Sequence, residues 1–148
     1  GGRYEQWESE GGYFSKDNPA TPEFDLVKLA KADSNQFSPK FSLGFTPQED
    51  WLIRYSLARA YRFPVVEELF TQSQSYSTVV TAKPDLKPEN GLHHNLMLEK
   101  QFKTGYARIN LFTETIQDAI ESQSNLLAGG GSVTTFAAID EVKTDGIE

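Results

Sequence analysis

Gln36-Phe37-Ser38-Pro39-Lys40-Phe41-Ser42-Leu43-Gly44-Phe45-Thr46, followed after Pro47-Gln48-Glu49-Asp50 by Trp51-Leu52-Ile53-Arg54-Tyr55-Ser56-Leu57-Ala58, is the stretch that decides the fold. In the first arm Phe37, Phe41, Leu43 and Phe45 share one parity, and Gln36, Ser38, Lys40, Ser42, Gly44 and Thr46 share the other. In the second arm Trp51, Ile53, Tyr55 and Leu57 oppose Leu52, Arg54, Ser56 and Ala58. A period of two marks an extended strand with one greasy and one wet face. The Pro-led segment 47 to 50 reads as a short turn, so the two arms form one hairpin.

The same alternation recurs on either side. Residues 92 to 102 set Leu92, Leu96, Leu98 and Phe102 against His93, Asn95, Met97, Glu99 and Gln101. Lys103-Thr104-Gly105 is a second tight turn, and residues 106 to 121 set Ala107, Ile109 and Leu111 against Tyr106, Arg108 and Asn110. Beyond Phe112 the parity blurs, which predicts a bulge or the end of the lipid-facing part. Arg3 to Glu10 and Phe136 to Glu148 read as outer strands. Polar stretches at residues 11 to 34, 62 to 91 and 122 to 135 carry Pro19 and Pro22, then Pro64, Pro84 and Pro88, then Gly129-Gly130-Gly131, and read as long connections.

Long and short connections thus alternate. With antiparallel neighbours, every long loop falls at one end of the sheet and every short turn at the other, the asymmetry of a bacterial outer-membrane barrel. Strands of about 9–11 residues suit a tilted lipid crossing, whereas globular strands average about 5–6. The reading is therefore all-β, an antiparallel meander of about six long strands. Phe45 and Trp51 flank the first short turn, and Phe102 and Tyr106 the second, where membrane-interface aromatics belong. The competing architecture is a soluble extracellular β-sandwich, a ligand-binding module in which the greasy rows would close into a dry interior.

Composition narrows the function. Over 148 residues, 14 Lys and Arg stand against 21 Asp and Glu, a net charge of −7 that argues against nucleic-acid binding. There is no cysteine, which removes disulfides, thiolate metal sites and thiol nucleophiles. The apolar share of 38% is low for a packed globule, while 10 Phe and 6 Tyr argue against disorder. No apolar run approaches the roughly 20 residues of a spanning helix, so any crossing is made by strands. The chain starts Gly1-Gly2-Arg3 and stops in mid-alternation at Glu148, the expected look of a piece of a longer protein.

Residues 51 to 89 carry a family likeness. Trp51-Leu-Ile-Arg-Tyr-Ser-Leu-Ala-Arg-Ala-Tyr-Arg-Phe-Pro64, then Glu67-Glu68-Leu69-Phe70 and Lys83-Pro84-Asp85-Leu86-Lys87-Pro88-Glu89, resembles the barrel of TonB-dependent outer-membrane receptors. Asp118-Ala119-Ile120 resembles the end of that family's following strand, and Asp145-Gly146-Ile147-Glu148 its x-Gly-Val-Glu strand. Lys83 departs from the family's usual Asn or Gly. The resemblance covers residues 35 to 148. It implies that residues 1 to 148 are a fragment of a single barrel domain of about 22 strands in the bacterial outer membrane, whose plug and TonB-contacting segment lie elsewhere in the parent. The implied activity is import of a scarce ligand, a ferric siderophore first, by binding and plug movement without covalent chemistry or cofactor. The implied partners are outer-membrane lipid, the rest of the barrel, the plug, TonB through the plug, and the small ligand.

Individual residues are weighed on that frame. His93 and His94 are adjacent and point to opposite faces of a strand, so they do not clasp one metal. Arg62, Tyr76, His93 and Tyr13 are residue types suited to an aromatic or anionic iron chelate and equally at home in solvated loops. Arg59, Glu67 and Glu89 are expected to order the long loop through charge-assisted hydrogen bonds, with Arg62 as a further donor. Strict parity also points Arg59 outward, roughly 19 Å above the lower girdle, where it would snorkel to anionic lipid, with Lys100 doing so at the other edge. Gly130-Gly131-Ser132-Val133-Thr134 lacks the closing Gly of a nucleophile elbow, so a catalytic Ser132 is the weakest alternative and no catalytic residue is assigned.

Overall fold

Each of the two short turns closes a hairpin at the place the alternation predicts. The structure, a computed structural model, describes residues 1–17, 24–28, 30–70, 73–74, 78–81, 83 and 85–148. Six long strands carry the architecture: β1 (Gly2–Ser9), β4 (Ala32–Phe45), β5 (Trp51–Arg62), β8 (Glu89–Phe102), β9 (Gly105–Leu126) and β10 (Ser132–Ile147). They stand in chain order in one sheet, each antiparallel to the next. The connecting segments add β2 (Tyr13–Asp17) paired with β3 (Phe24–Lys28), the short helix α1 (Val66–Phe70), and β6 (Ser73–Gln74) with β7 (Thr78–Thr81). β7 runs parallel to the upper part of β10 and extends the main sheet to eight strands.

Three expectations are corrected. Residues 122 to 135 are no long loop: 122–126 pair with 132–136, and only 127–131 turn, with Gly130 and Gly131 at φ 84° and 92° where a Cβ would be strained. This arm is mostly Ser, Thr, Gln and Asn, with Leu126, Val133 and Phe136 falling on no single parity, so the period-two signal vanishes while the backbone ladder continues. The predicted bulge after Phe112 is absent, because β9 keeps one register with β8 and one with β10 throughout. Only Asp118 departs, at φ 55°, next to the point where β8 begins and β9 loses that neighbour. Thirdly, the polar connections at 11 to 34 and 62 to 91 contain the small hairpin and the helix with two strands, respectively. Pro19, Pro22 and Pro84 lie outside the described residues.

The greasy rows do not close on one another. Phe41 and Leu43 are 54% and 61% exposed, and Phe37, Phe45, Ile109 and Leu111 are exposed beside them. The buried apolar residues among those described are Leu69, Met97, Ala119 and Ile120, too few for a sandwich core. Neighbouring registers place the exposed rows side by side, as in Leu43–Tyr55–Leu96–Leu111 and Phe45–Ile53–Leu98–Ile109. One face of the sheet is therefore a continuous apolar surface that a soluble protein would not present. The opposite face carries Arg54, Asn95, Glu99, Arg108 and Asn110.

One seam interrupts the sheet. Lys40 spends its backbone N–H and C=O on Gly1, so the adjacent position turned toward β5 belongs to Pro39, which has no N–H to give. Pairing of β4 with β5 accordingly stops at Lys40–Ala58, and above it β1 and β4 diverge from β5.

Candidate functional site

The apolar face has a slanted upper edge. Along the row Phe41–Leu57–His94–Thr113–Asp145, the apolar run reaches four positions higher on β4, at Phe37, and stops two positions lower on β9 and β10, at Leu111 and Ile147, with Ile139 isolated above Glu141, Lys143 and Asp145. Six residues of about 3.3 Å against four strand spacings of about 4.8 Å correspond to strands tilted by about 45° to a horizontal layer. The lower aromatics descend in the same sense: Phe45, Trp51 and Phe102 drop two positions per strand on this face. The Lys100 ammonium lies 4.7 Å from the Trp51 ring centre and 5.9 Å from that of Phe102, a cation over two rings that also pairs with Asp50 at 3.4 Å. Tyr106 is different. Register with Gln101 and a guanidinium of Arg108 at 5.1 Å put its ring on the opposite, wet face, because parity within β9 outweighs nearness to the turn.

At the upper rim the wet face carries a clamp. Arg62 and Glu89 are the last pair of the β5–β8 ladder, and their side chains meet in a fork, Nε to Oε2 at 2.7 Å and Nη2 to Oε1 at 2.6 Å. The remaining Arg62 Nη1 donates to Glu68 at 3.0 Å. Glu68 also accepts the Val65 N–H at 2.9 Å, reaching back over the first turn of α1, and its carbonyl accepts the Lys83 N–H. Pro64 ends β5 and is fully buried with Leu69, which pins the helix down. Glu89 Oε1 accepts the Ile120 N–H at 2.7 Å, serving the β9 backbone just where β8 has run out.

Eleven residues above Trp51, the clamp lies above the apolar band. There the Arg62 hydrogen bonds hold the Glu89 carboxyl below the usual carboxylate range; burial opposes this and the Ile120 amide adds to it. Arg62 itself is driven well up by Glu89 and Glu68. A carboxyl depressed in the folded clamp stabilises it above the ordinary value near about 4.3, and that contribution drains as pH falls through the lowered value. Amide protection at Ile120 is therefore expected to hold from pH 7 to 5 and to fall below about pH 4. Hydrogen exchange across that range checks it, and loss of protection already by pH 5 contradicts the assignment.

The clamp redistributes the loop-ordering residues. Arg59 does not join it; its Nε donates to Asn90 at 2.8 Å and its guanidinium lies 5.3 Å from the Tyr61 ring, on the greasy-face parity. Glu67 is exposed and in no ion pair among the described residues, because the turn of α1 brings Glu68 and not Glu67 to Arg62. The three ligand-type residues among those described do not converge. Arg62 is taken up by two carboxylates, His93 stacks on Phe112 on the wet wall at 6.3 Å, Tyr13 is exposed at the start of β2, and Tyr76 lies outside the described residues. His94 faces the other way and meets the Tyr55 hydroxyl at 2.7 Å. Ser132 opens a strand, not the strand-to-helix turn of a nucleophile elbow.

Between the tops of β1 and β4 and the returning segment 85–88 lies an open cavity of about 620 Å³. Trp7 lines it, stacked flat on Phe63 at 6.0 Å, together with Tyr61, Lys31, Lys87 and Asp85. The parity of β1 places Trp7 on the wet face, a signal present in the sequence; its meeting with Phe63 required the seam above Pro39.

A family description of TonB dependent receptor-like β-barrels matches residues 1–148, the entire chain. The chain belongs to the TonB-dependent receptor β-barrel family. Its slanted band, upper loops and short lower turns are thus those of a TonB-dependent receptor wall. The Serratia marcescens hemophore receptor HasR, solved with its hemophore HasA and heme, matches 99% of the chain at TM-score 0.69 and 13% identity. The ferric enterobactin receptor PfeA of Pseudomonas aeruginosa, in complex with enterobactin, matches 80% at TM-score 0.62 and 19% identity. The siderophore receptor PirA of the same organism matches 80% at TM-score 0.64 and 15% identity. The chain spans 20% of PfeA and 26% of each of the other two. No curated protein sequence matches it.

Proposed function

We propose that the chain is the wall and outer-loop portion of a receptor that imports a ferric siderophore across the bacterial outer membrane. Residues 1 to 148 are read as a fragment of one barrel domain, with the remaining strands, the plug and the TonB-contacting segment supplied by the rest of the parent protein. The observation that supports this reading best is the greasy band slanted at the tilt of a membrane barrel, with a clamped loop and a cavity above it on the wet side. Capture would be binding without covalent chemistry. Trp7 offers a ring to an aromatic chelator and Lys87 a cation, with His93 on the wall below and Tyr13 on the outer hairpin as further contacts.

Deletion of the parent gene is expected to abolish growth on a catecholate-type ferric chelate as sole iron source and to leave growth on ferrous iron intact. Unchanged growth on every ferric siderophore, with loss on heme, would replace the ligand but keep the receptor. A parent protein found outside the outer membrane would remove the whole reading.

A further inference from the structure

The seam above Pro39 is a gap through the wall. Lys40 pairs with Gly1, so by alternation Phe37 and Asn35 turn their backbone groups toward β5, as Arg59 and Tyr61 turn theirs toward β4, yet no ladder joins the two edges. A hollow of about 450 Å³ occupies the gap. Register assigns its lining to both faces of the sheet, Ser38, Lys40, Ala58 and Ala60 to the wet one and Gly2 and Arg59 to the greasy one. On the outer side the two lips lean apart. The Phe37 ring lies over Gly2 of β1, where an added Cβ would stand 2.5 Å from it, and Arg59 is drawn toward β8 by Asn90 at 2.8 Å. On the inner side Arg3 is held by Glu5 at 2.9 Å, which also accepts from Ser38, while Lys40 is in no ion pair among the described residues.

The gap joins two environments. Along the wet face of β4, Ser34 and Gln36 line the cavity beside Trp7, and Ser38 and Lys40, the next residues of that face, line the hollow. Along the greasy face, exposed Tyr4 and Phe37 stand at its outer mouth, with Leu57 below Arg59. A passage walled by Gly, Ala and Ser, with a free cation at its inner rim and apolar rings at its outer mouth, suits an amphiphile whose anionic head stays in the wet lumen while its chain crosses to the lipid. From this continuity we propose that the receptor takes an acylated ferric siderophore, with the chelate in the Trp7 cavity and the acyl chain threaded through the seam between β4 and β5 onto Tyr4 and Phe37. The proposal rests on the reading of the chain as part of a siderophore receptor and adds to it the amphiphilic class of chelator. Pro39 keeps the passage open, because any other residue there supplies the N–H that the β5 edge would bind.

The test uses cells whose sole ferric-chelate importer is the full-length receptor, supplied with radiolabelled iron as a ferric tris-catecholate or as the same chelate bearing one dodecanoyl chain on its scaffold. At limiting concentration wild type is expected to take up the acylated chelate about tenfold faster than the plain one, the equivalent of about two buried methylenes. Pro39→Thr, which lets β4 and β5 zip, and Ala60→Trp, which fills the passage, are each expected to bring the acylated-to-plain ratio to about one or below. Equal uptake of the two chelates by wild type overturns the proposal, as does a tenfold ratio kept in both variants, since the chain would then gain its advantage elsewhere in the membrane. Uptake of neither chelate by wild type overturns the catecholate-siderophore reading and the proposal with it, so that plain-chelate uptake distinguishes a failure of that reading from a failure of the seam.

Discussion

Arg62→Met in the full-length receptor is expected to accelerate hydrogen exchange at Ile120, Leu69 and Lys83 by about 30-fold while leaving the lower strands protected. Arg62 joins the end of β5 to the start of β8 and to α1, and Glu89 extends the connection to β9, so one side chain holds four segments. Its removal deletes four charge-assisted bonds and leaves Glu68 and Glu89, whose side chains are 13% and 16% exposed, without their cation. Breaking a buried pair costs about 3–5 kcal/mol; Arg62 is 44% exposed, so screening reduces the local cost to about 2 kcal/mol, the stated factor in opening. Methionine keeps the length and greasiness of the stem, so the effect reports charge and not a cavity. Glu67→Gln, one residue from the clamp, is the matched control and is expected to change nothing. Equal exchange in Arg62→Met and wild type would show that burial of Pro64 and Leu69 holds the loop unaided.

The second large effect separates membrane from water. Leu43 is 61% exposed in the middle of the apolar face, and in an aqueous protein Leu43→Lys would cost within about 0.5 kcal/mol. On a lipid-facing row near mid-band the same change is expected to cost about 2–4 kcal/mol. Ser42→Lys, one residue away on the wet face, is expected to be tolerated with a much smaller change. Denaturant titration of the receptor refolded into phospholipid vesicles measures both. A cost for Leu43→Lys no larger than that for Ser42→Lys would show that the greasy row meets no lipid.

The sequence carried the strand count, the two short turns, the membrane-facing rows and the family, because each is written in local terms: a period of two, a Pro-led turn, a run of short motifs. It carried Glu89 into the clamp as well. It lost the upper arm of β9 and β10, since residues with two wet faces, such as Ser122, Ser124 and Thr134, pair through their backbones and leave no mark in hydropathy. The choice of Arg62 over Arg59 and of Glu68 over Glu67 depended on which side of a strand end and of a single helical turn each side chain emerges, a matter of angle that spacing does not hold. The seam is the clearest case. Pro39 is visible in the chain, yet only the pairing of Lys40 with Gly1 places its missing N–H on the β5 side, and only there does a lost donor separate β4 from β5. What repeats along the chain was fixed by the chain alone; what depends on which neighbour a group faces was decided by the sheet, because register brings together residues that sequence distance keeps apart.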